Sequence, residues 1–224
     1  IPVCVIDSGI YAAHQDFSGL NVIGGYPNGW NTDLCGHGTH VSGTLTAVNN
    51  NTGVVGVSPG AVSLYMVKVF GDDCAWSYAS DLADAAQRCA NAGAKIISMS
   101  LGGGFSAVER NKFDALYSQG ILSIAAAGND GNTQTSYPAG YASVISVAAV
   151  DSNNALASFS QRNADVELAA PGVGVLSTVP FLDQSSVTVS GTQYSAGHIE
   201  FSQRGNASGT LVNVVRSRAL TPMR

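Results

Sequence analysis

Charge is what this 224-residue sequence has least of: 10 Lys and Arg against 15 Asp and Glu, 11% charged in all, with a formal net charge of -5. So few basic groups exclude nucleic acid or an anionic membrane as the main partner, because nothing would neutralise phosphate. No apolar run reaches the roughly 18 residues of a membrane-spanning helix, so no membrane partner is expected. The four cysteines, Cys4, Cys35, Cys74 and Cys89, have neither CxxC nor Cys/His ligand spacing, which argues against zinc. There are no internal repeats and no low-complexity tracts. An initiator Met and a signal-peptide pattern are also missing. The sequence opens inside the apolar run Ile1-Pro2-Val3-Cys4-Val5-Ile6, and both ends read as cut. Near the other end Arg216, Arg218 and Arg224 hold three of the ten basic residues.

What is present favours a large core. Apolar residues make up 45% of the chain, enough to bury one large domain, or a domain with a partial appendage. The 26 glycines suit an α/β fold with tight turns and close backbone approaches. An even cysteine count in a Lys-poor, Gly-rich chain points to disulfides and an oxidising compartment. Four cysteines allow three pairings. Cys35–Cys74 is the preferred bond, with Cys4 and Cys89 either paired or buried as free thiols.

Short apolar runs alternate with amphipathic segments along the chain. Val3–Ile6, Leu64–Val69, Ile96–Met99, Leu122–Ala126 and Val144–Val147 read as buried strands, too short and β-branched for helices. His37–Ala47, Tyr78–Ala92 and Ala107–Gln119 have helical spacing, and Gly93 and Gly120 stand where C-caps belong. Strand–helix–strand alternation implies a doubly wound, mostly parallel sheet with helices on both faces. Such sheets carry their sites at the carboxyl ends of the strands. After Pro171 the pattern changes, and Val187–Gly209, rich in Ser, Thr, Gly and Gln, reads as irregular hairpin or loop. The expected division is a domain over 1–180 and an irregular C-terminal extension over 181–224.

Three motifs carry chemistry. The first strand ends Val-Ile-Asp7-Ser8-Gly9, which sets a carboxylate at its carboxyl end. In Gly36-His37-Gly38-Thr39-His40-Val41 a histidine opens a helix of small residues. Its imidazole can take a proton from a nucleophile if a carboxylate holds the other ring nitrogen. His40, about one turn further on, reads as structural. Ala127-Gly128-Asn129 puts a side-chain amide just past a buried strand, where it can donate to a developing oxyanion.

In this order the three motifs resemble the subtilisin-like serine proteases, over roughly Ile1 to Thr178. The resemblance implies that Asp7 orients and stabilises the imidazole, that His37 is general base and then acid, and that Asn129 is the oxyanion donor. It also implies a substrate-binding edge in Ser98-Met99-Ser100-Leu101-Gly102-Gly103, with Ser100, Leu101 and Gly102 in the groove where an extended peptide adds as a strand. Ala127 and Gly128 then form the other wall of an apolar pocket. A further family feature is a structural calcium site, with Asp16, the Asn50 amide and the carbonyls of Val48, Thr52 and Val54 as ligands. The plainer reading of that stretch is an Asn-rich turn held by its own side-chain bonds.

The family's nucleophile motif, Gly-Thr-Ser-Met-Ala, does not occur in this sequence. The nearest stretch, Ser190-Gly191-Thr192-Gln193-Tyr194-Ser195, puts Gln193 where the serine belongs, and an amide cannot attack a carbonyl. The following residues, Ile199 to Gly205, are too polar for the helix expected there. Some secreted bacterial members carry an inserted domain before the nucleophile, and Ser190–Gly209 is similar to the start of one. On that reading the chain stops before the serine. Ser195 and Ser190 are the in-chain candidates for a relocated nucleophile. The expected function is therefore a secreted, monomeric serine endopeptidase scaffold acting on polypeptide substrates through an acyl-enzyme. The alternatives are an inactive peptide-binding homologue and a truncated fragment.

Overall fold

The computed structural model describes residues 1–76 and 82–180, and the backbone of strands 186–189 and 192–195. It divides into two compact units, Ile1–Pro180 and Phe181–Arg224. The first is built on seven strands: β1 (Pro2–Asp7), β2 (Asn21–Tyr26), β3 (Ser63–Lys68), β4 (Ile96–Met99), β5 (Leu122–Ala126), β6 (Val144–Val150) and β7 (Val166–Pro171). They lie in the order β2-β3-β1-β4-β5-β6-β7, and every neighbouring pair is parallel. Among the described residues three α-helices, α1 (His37–Thr46), α2 (Leu82–Asn91) and α3 (Ala107–Ser118), and a short 3-10 helix (Gln15–Phe17) lie between them.

The two-residue period of β1 sorts the core into two layers. Cys4 and Ile6 pack with Leu82, Ala85, Ala86 and Cys89 of α2 and with Phe113 and Leu116 of α3. Val5 faces the other way, with Leu64, Met66 and Phe17, against Val41 and Leu45 of α1. Helices thus cover both faces, as expected of a doubly wound sheet.

The two strands that the apolar runs did not foretell, β2 and β7, are the two edges of the sheet. Five of the six residues of β7 are exposed, and β2 is half exposed with Gly24 and Gly25 at its centre. Neither presents the continuous apolar run that marks a strand buried on both faces. The helix ends fall where glycine was expected. Gly93 and Gly120 adopt φ of 84° and 76°, and each donates its N–H back to the preceding turn, to Ala90 and Tyr117. Residues 77–81, including the expected start of α2 at Tyr78, lie outside the described residues.

Both cysteine pairs are bonded. Cys35–Cys74 joins the segment before α1 to the turn after β3, and Cys4–Cys89 ties β1 to α2. No described cysteine is free. In the second unit, β8 (Ser186–Val189) and β9 (Thr192–Ser195) pair antiparallel. Ser190 and the side chains of Gln193 and Ser195 lie outside the described residues, as do Arg216, Arg218 and Arg224.

Candidate active site

The strand order reverses at β1: β3 and β2 were laid down on one side of it, and β4 to β7 on the other. In open α/β sheets the crevice at such a switch point, at the carboxyl ends of the strands, is where ligands bind. Here the carboxyl ends of β1, β4 and β5 lead directly into Asp7, Ser100–Gly102 and Ala127–Asn129.

Asp7 shares the face of Val5, so it points toward α1, and it is fully buried. His37 is the first residue of α1. Its Nδ1 lies 2.8 Å from Oδ1 of Asp7, and its side chain is 51% exposed. The carboxylate also accepts the Ser8 N–H at 2.7 Å, which fixes its orientation. A buried carboxylate on Nδ1 favours the tautomer with the proton on that nitrogen, so Nε2 is the basic one. The backbone makes this approach possible. Gly36 before the helix has φ of 89°, and a Cβ on Gly38 would collide with the carbonyl oxygen of Gly9. Residues larger than glycine at 38 would push α1 off the end of β1.

A residue that the motifs did not single out completes this corner. Asp33, 1% exposed, accepts hydrogen bonds from Ser8 on one side and from Gly36 and Thr39 on the other. The signal in the sequence is an Asp four positions before the histidine, where the helix has only glycine at its N-cap. The His40 backbone carbonyl accepts from Ser177 Oγ at 2.7 Å and from Thr44 Oγ1 at 3.1 Å.

Asn129 lies three residues beyond β5, exposed at the mouth of the crevice. The loop carrying it is held from behind. Ala127 N–H donates to Val147, and Gly128 C=O accepts the Gln161 N–H at 3.0 Å. Gly128 has φ of 114°, and a Cβ there would run into the side-chain carbonyl of Gln161. Ala127 is buried and Gly128 half-buried. Across from them, Ser100 and Leu101 are half-buried and Gly102 is exposed. Gly103, the last residue of the expected binding edge, is paired with Tyr137. Its N–H donates to the Tyr137 carbonyl at 2.7 Å, and its carbonyl accepts the Tyr137 N–H at 3.0 Å.

The stretch expected to hold calcium forms a loop around Asp16. The carboxylate is 1% exposed; its Oδ2 accepts the Val54 N–H at 2.8 Å, while Oδ1 is buried with no hydrogen-bond partner. A Cβ on Gly53 would overlap this carboxylate. The Asn50 amide donates to the Gln15 carbonyl, and its oxygen accepts from the Thr52 N–H and hydroxyl. The loop thus combines a buried carboxylate oxygen without a hydrogen-bond partner with an Asn turn bonded to itself. Next to it, His14 Nδ1 accepts the Asp16 N–H. Burial pushes the His14 imidazole below its ordinary value, against the opposing pull of the Asp16 charge. No group of three or more His, Cys, Asp or Glu side chains gathers at a metal-binding distance among the described residues. No helix among them is long and apolar enough to cross a membrane.

The family model described as the subtilase family matches residues 1–200. Subtilisin DY of Bacillus licheniformis is 42% identical over 208 residues, covering 89% of this chain and 73% of its own length. Subtilisin BL of Lederbergia lenta is 39% identical over 203 residues, with the same coverages of 89% and 73%. Among solved structures, the psychrophilic subtilisin-like protease Apa1 from the Antarctic psychrotroph Pseudoalteromonas sp. AS-11 superposes with a TM-score of 0.77 at 44% identity. It matches 86% of this chain, which spans only 46% of that one.

Proposed function

This chain belongs to the subtilase family, and we propose that it is the scaffold of a serine endopeptidase in which Asp7, His37 and Asn129 carry their family roles. The observation that carries the reading is the 2.8 Å contact between a fully buried Asp7 and the exposed ring of His37, at the switch point of the sheet. With Nδ1 engaged by Asp7, Nε2 of His37 takes the proton from a serine hydroxyl as its oxygen bonds to the peptide carbonyl carbon. The oxyanion formed is stabilised by the Asn129 amide, a contribution of about 2.7–4 kcal/mol in such sites. When the C–N bond breaks, the same proton leaves with the amine, and water repeats the two steps to release the acid. Ser100, Leu101 and Gly102 bind the substrate backbone as an added strand, and Ala127 and Gly128 wall the pocket for the side chain at the cleaved bond.

The serine itself is the missing part. These 224 residues hold no Gly-Thr-Ser-Met-Ala. Residues 1–180 form the catalytic scaffold on this reading, and 181–224 are the start of a domain inserted before the nucleophile. The substrates are polypeptides, the chain is monomeric, and its two disulfides suit secretion into an oxidising medium. A structural calcium fits the loop at Asp16, because the buried Oδ1 of Asp16 lacks a partner. Asp16, Asn50 and the carbonyls of Val48, Thr52 and Val54 would hold the ion, which would brace the loop that follows α1. A second reading, in which Gln193 would take the place of the family's serine, is a homologue that binds extended peptides without cleaving them.

Fluorophosphonate labelling of the folded chain, read by intact mass and peptide mapping, tests the assignment of the nucleophile. The expected result is no adduct. A single adduct on Ser190 or Ser195 that disappears in His37→Ala would overturn it and put an activated serine inside this chain.

A further inference from the structure

Neither catalytic residue is held by its own backbone alone; both are flanked by groups that converge on one buried carboxylate. Oδ1 of Asp33 accepts the Ser8 hydroxyl at 2.9 Å and the Gly36 N–H at 2.8 Å. Oδ2 accepts the Thr39 N–H at 2.8 Å and the Thr39 hydroxyl at 2.6 Å. Ser8 follows Asp7, and Gly36 and Thr39 bracket His37. The Ser8 oxygen in turn accepts the Gly38 N–H at 2.8 Å, and the Thr39 oxygen accepts the Tyr11 N–H at 2.9 Å. The end of β1 and the first turn of α1 are therefore joined through Asp33 and its two hydroxyl partners.

The need for such a link follows from the helix. The first N–H groups of an α-helix have no partner within it, and a side chain at the N-cap ordinarily supplies one. Gly36 has no side chain to offer. Asp33 and Ser8 take the Thr39 and Gly38 N–H groups instead, and a carboxylate at a helix N-terminus is favoured by the dipole. Charge-assisted bonds of this kind are short and directional, so they set position as well as satisfying donors. A buried carboxylate with all its acceptor directions used is a rigid joint.

We propose that Asp33 is the positioning residue of the Asp7–His37 pair: it fixes the end of β1 against the start of α1, so that His37 Nδ1 stays on Asp7. This inference rests on the reading of His37 and Asp7 as base and orienter, and deepens it. Asp33 touches neither ring nor substrate; it acts through Ser8, Gly36 and Thr39. Replacing it with Asn would turn one acceptor oxygen into an NH2 group. That group would face backbone N–H donors that cannot reverse their role.

The test is proton NMR of the Nδ1–H of His37, with its solvent exchange rate, in the whole chain and five variants, alongside denaturant midpoints. Asp7→Asn should remove the hydrogen-bonded Nδ1–H signal. Asp33→Asn should keep the fold but speed exchange of that proton by roughly tenfold or more, as loss of a charge-assisted bond implies. Ser8→Ala should act in the same direction, with Ser8→Thr restoring the slow exchange. Ser106→Ala, which removes the α3 N-cap hydroxyl that accepts the Glu109 N–H, should lower stability and leave His37 unchanged. If Asp33→Asn lowers the midpoint but the His37 proton exchanges as in the parent, Asp33 is a structural cap and the proposal is overturned. If Asp33→Asn does not fold, Ser8→Ala against Ser8→Thr decides in the same way. An Nδ1–H signal that survives Asp7→Asn would instead sink the base–orienter reading itself.

Discussion

Oδ1 of Asp7 and Nδ1 of His37 stand 2.8 Å apart, although 30 residues separate them and each belongs to a different element. The period of β1 turns Asp7 to the face that α1 covers, and the small residues that open α1 let its first turn settle onto the end of that strand. The pair is a consequence of layer packing, and its chemistry follows from the contrast in exposure. The carboxylate that holds the ring is buried, and the ring itself is half exposed.

Gly128→Ala should destabilise the chain by about 1–3 kcal/mol, since the new Cβ meets Gln161 and the left-handed backbone disfavours any side chain. Gly93→Ala is the comparison, because that glycine also has positive φ but has nothing within 4 Å of its Cβ position. Urea midpoints should fall further for Gly128→Ala than for Gly93→Ala. Adding Gln161→Ala to Gly128→Ala should recover part of the difference, and equal midpoints would contradict the overlap.

The two disulfides should reduce in order. Cys74 is exposed and Cys35 half-buried, whereas Cys4 and Cys89 are both fully buried in the core. Mild reductant followed by alkylation and peptide mapping should label Cys35 and Cys74 first, with Cys4 and Cys89 reacting only on unfolding. Closing 85 residues, Cys4–Cys89 should contribute roughly 4–5 kcal/mol by chain entropy, so its removal should cost more than that of Cys35–Cys74, which closes 39.

Stability should have a pH limb on each side. The His14 imidazole is held below its ordinary 6.5 by burial, so the fold favours its neutral form. That contribution is complete above pH 6.5 and declines as the pH falls below it, as the unfolded chain takes up the proton first. Burial, helped by Glu109 and opposed by the Ser106 N–H bond, pushes Tyr141 from 10.0 up to about 12. Its contribution is complete below pH 10 and is lost as the pH rises from 10 to about 12. His14→Asn should flatten the acid limb and Tyr141→Phe the alkaline limb in melting curves across pH.

Calcium should raise the melting temperature by roughly 5–10 °C at saturation, an increment that chelation removes. Asp16→Asn should abolish the response, because it replaces the buried carboxylate in the loop. Equal melting with calcium and with chelator would leave the loop as the self-bonded turn that the Asn50 contacts with Thr52 already form.

What could be read from the sequence follows burial and local spacing. The five central strands announced themselves as apolar runs because they are covered on both faces, and α1 and α3 as helical spacing closed by glycine or polar turns. Asp7 and His37 were legible because each sits in a motif of adjacent residues. The edges β2 and β7 were not, since strands exposed at half or more of their residues carry no such run. Asp33 was hidden for a different reason. Its partners Ser8 and Thr39 lie 25 residues before it and 6 after it, and only the fold brings all three together. The same holds for Gln161, whose N–H meets the Gly128 carbonyl from another loop.

The most direct test of the account is the tautomer of His37, read from the imidazole nitrogen chemical shifts of the folded chain at a pH where the ring is neutral. The proton should sit on Nδ1, bonded to Asp7, with Nε2 unprotonated and basic, and Asp7→Asn should switch the tautomer or leave a mixture. A neutral ring carrying its proton on Nε2 in the parent chain would contradict it, because that nitrogen could not then accept a proton from a serine.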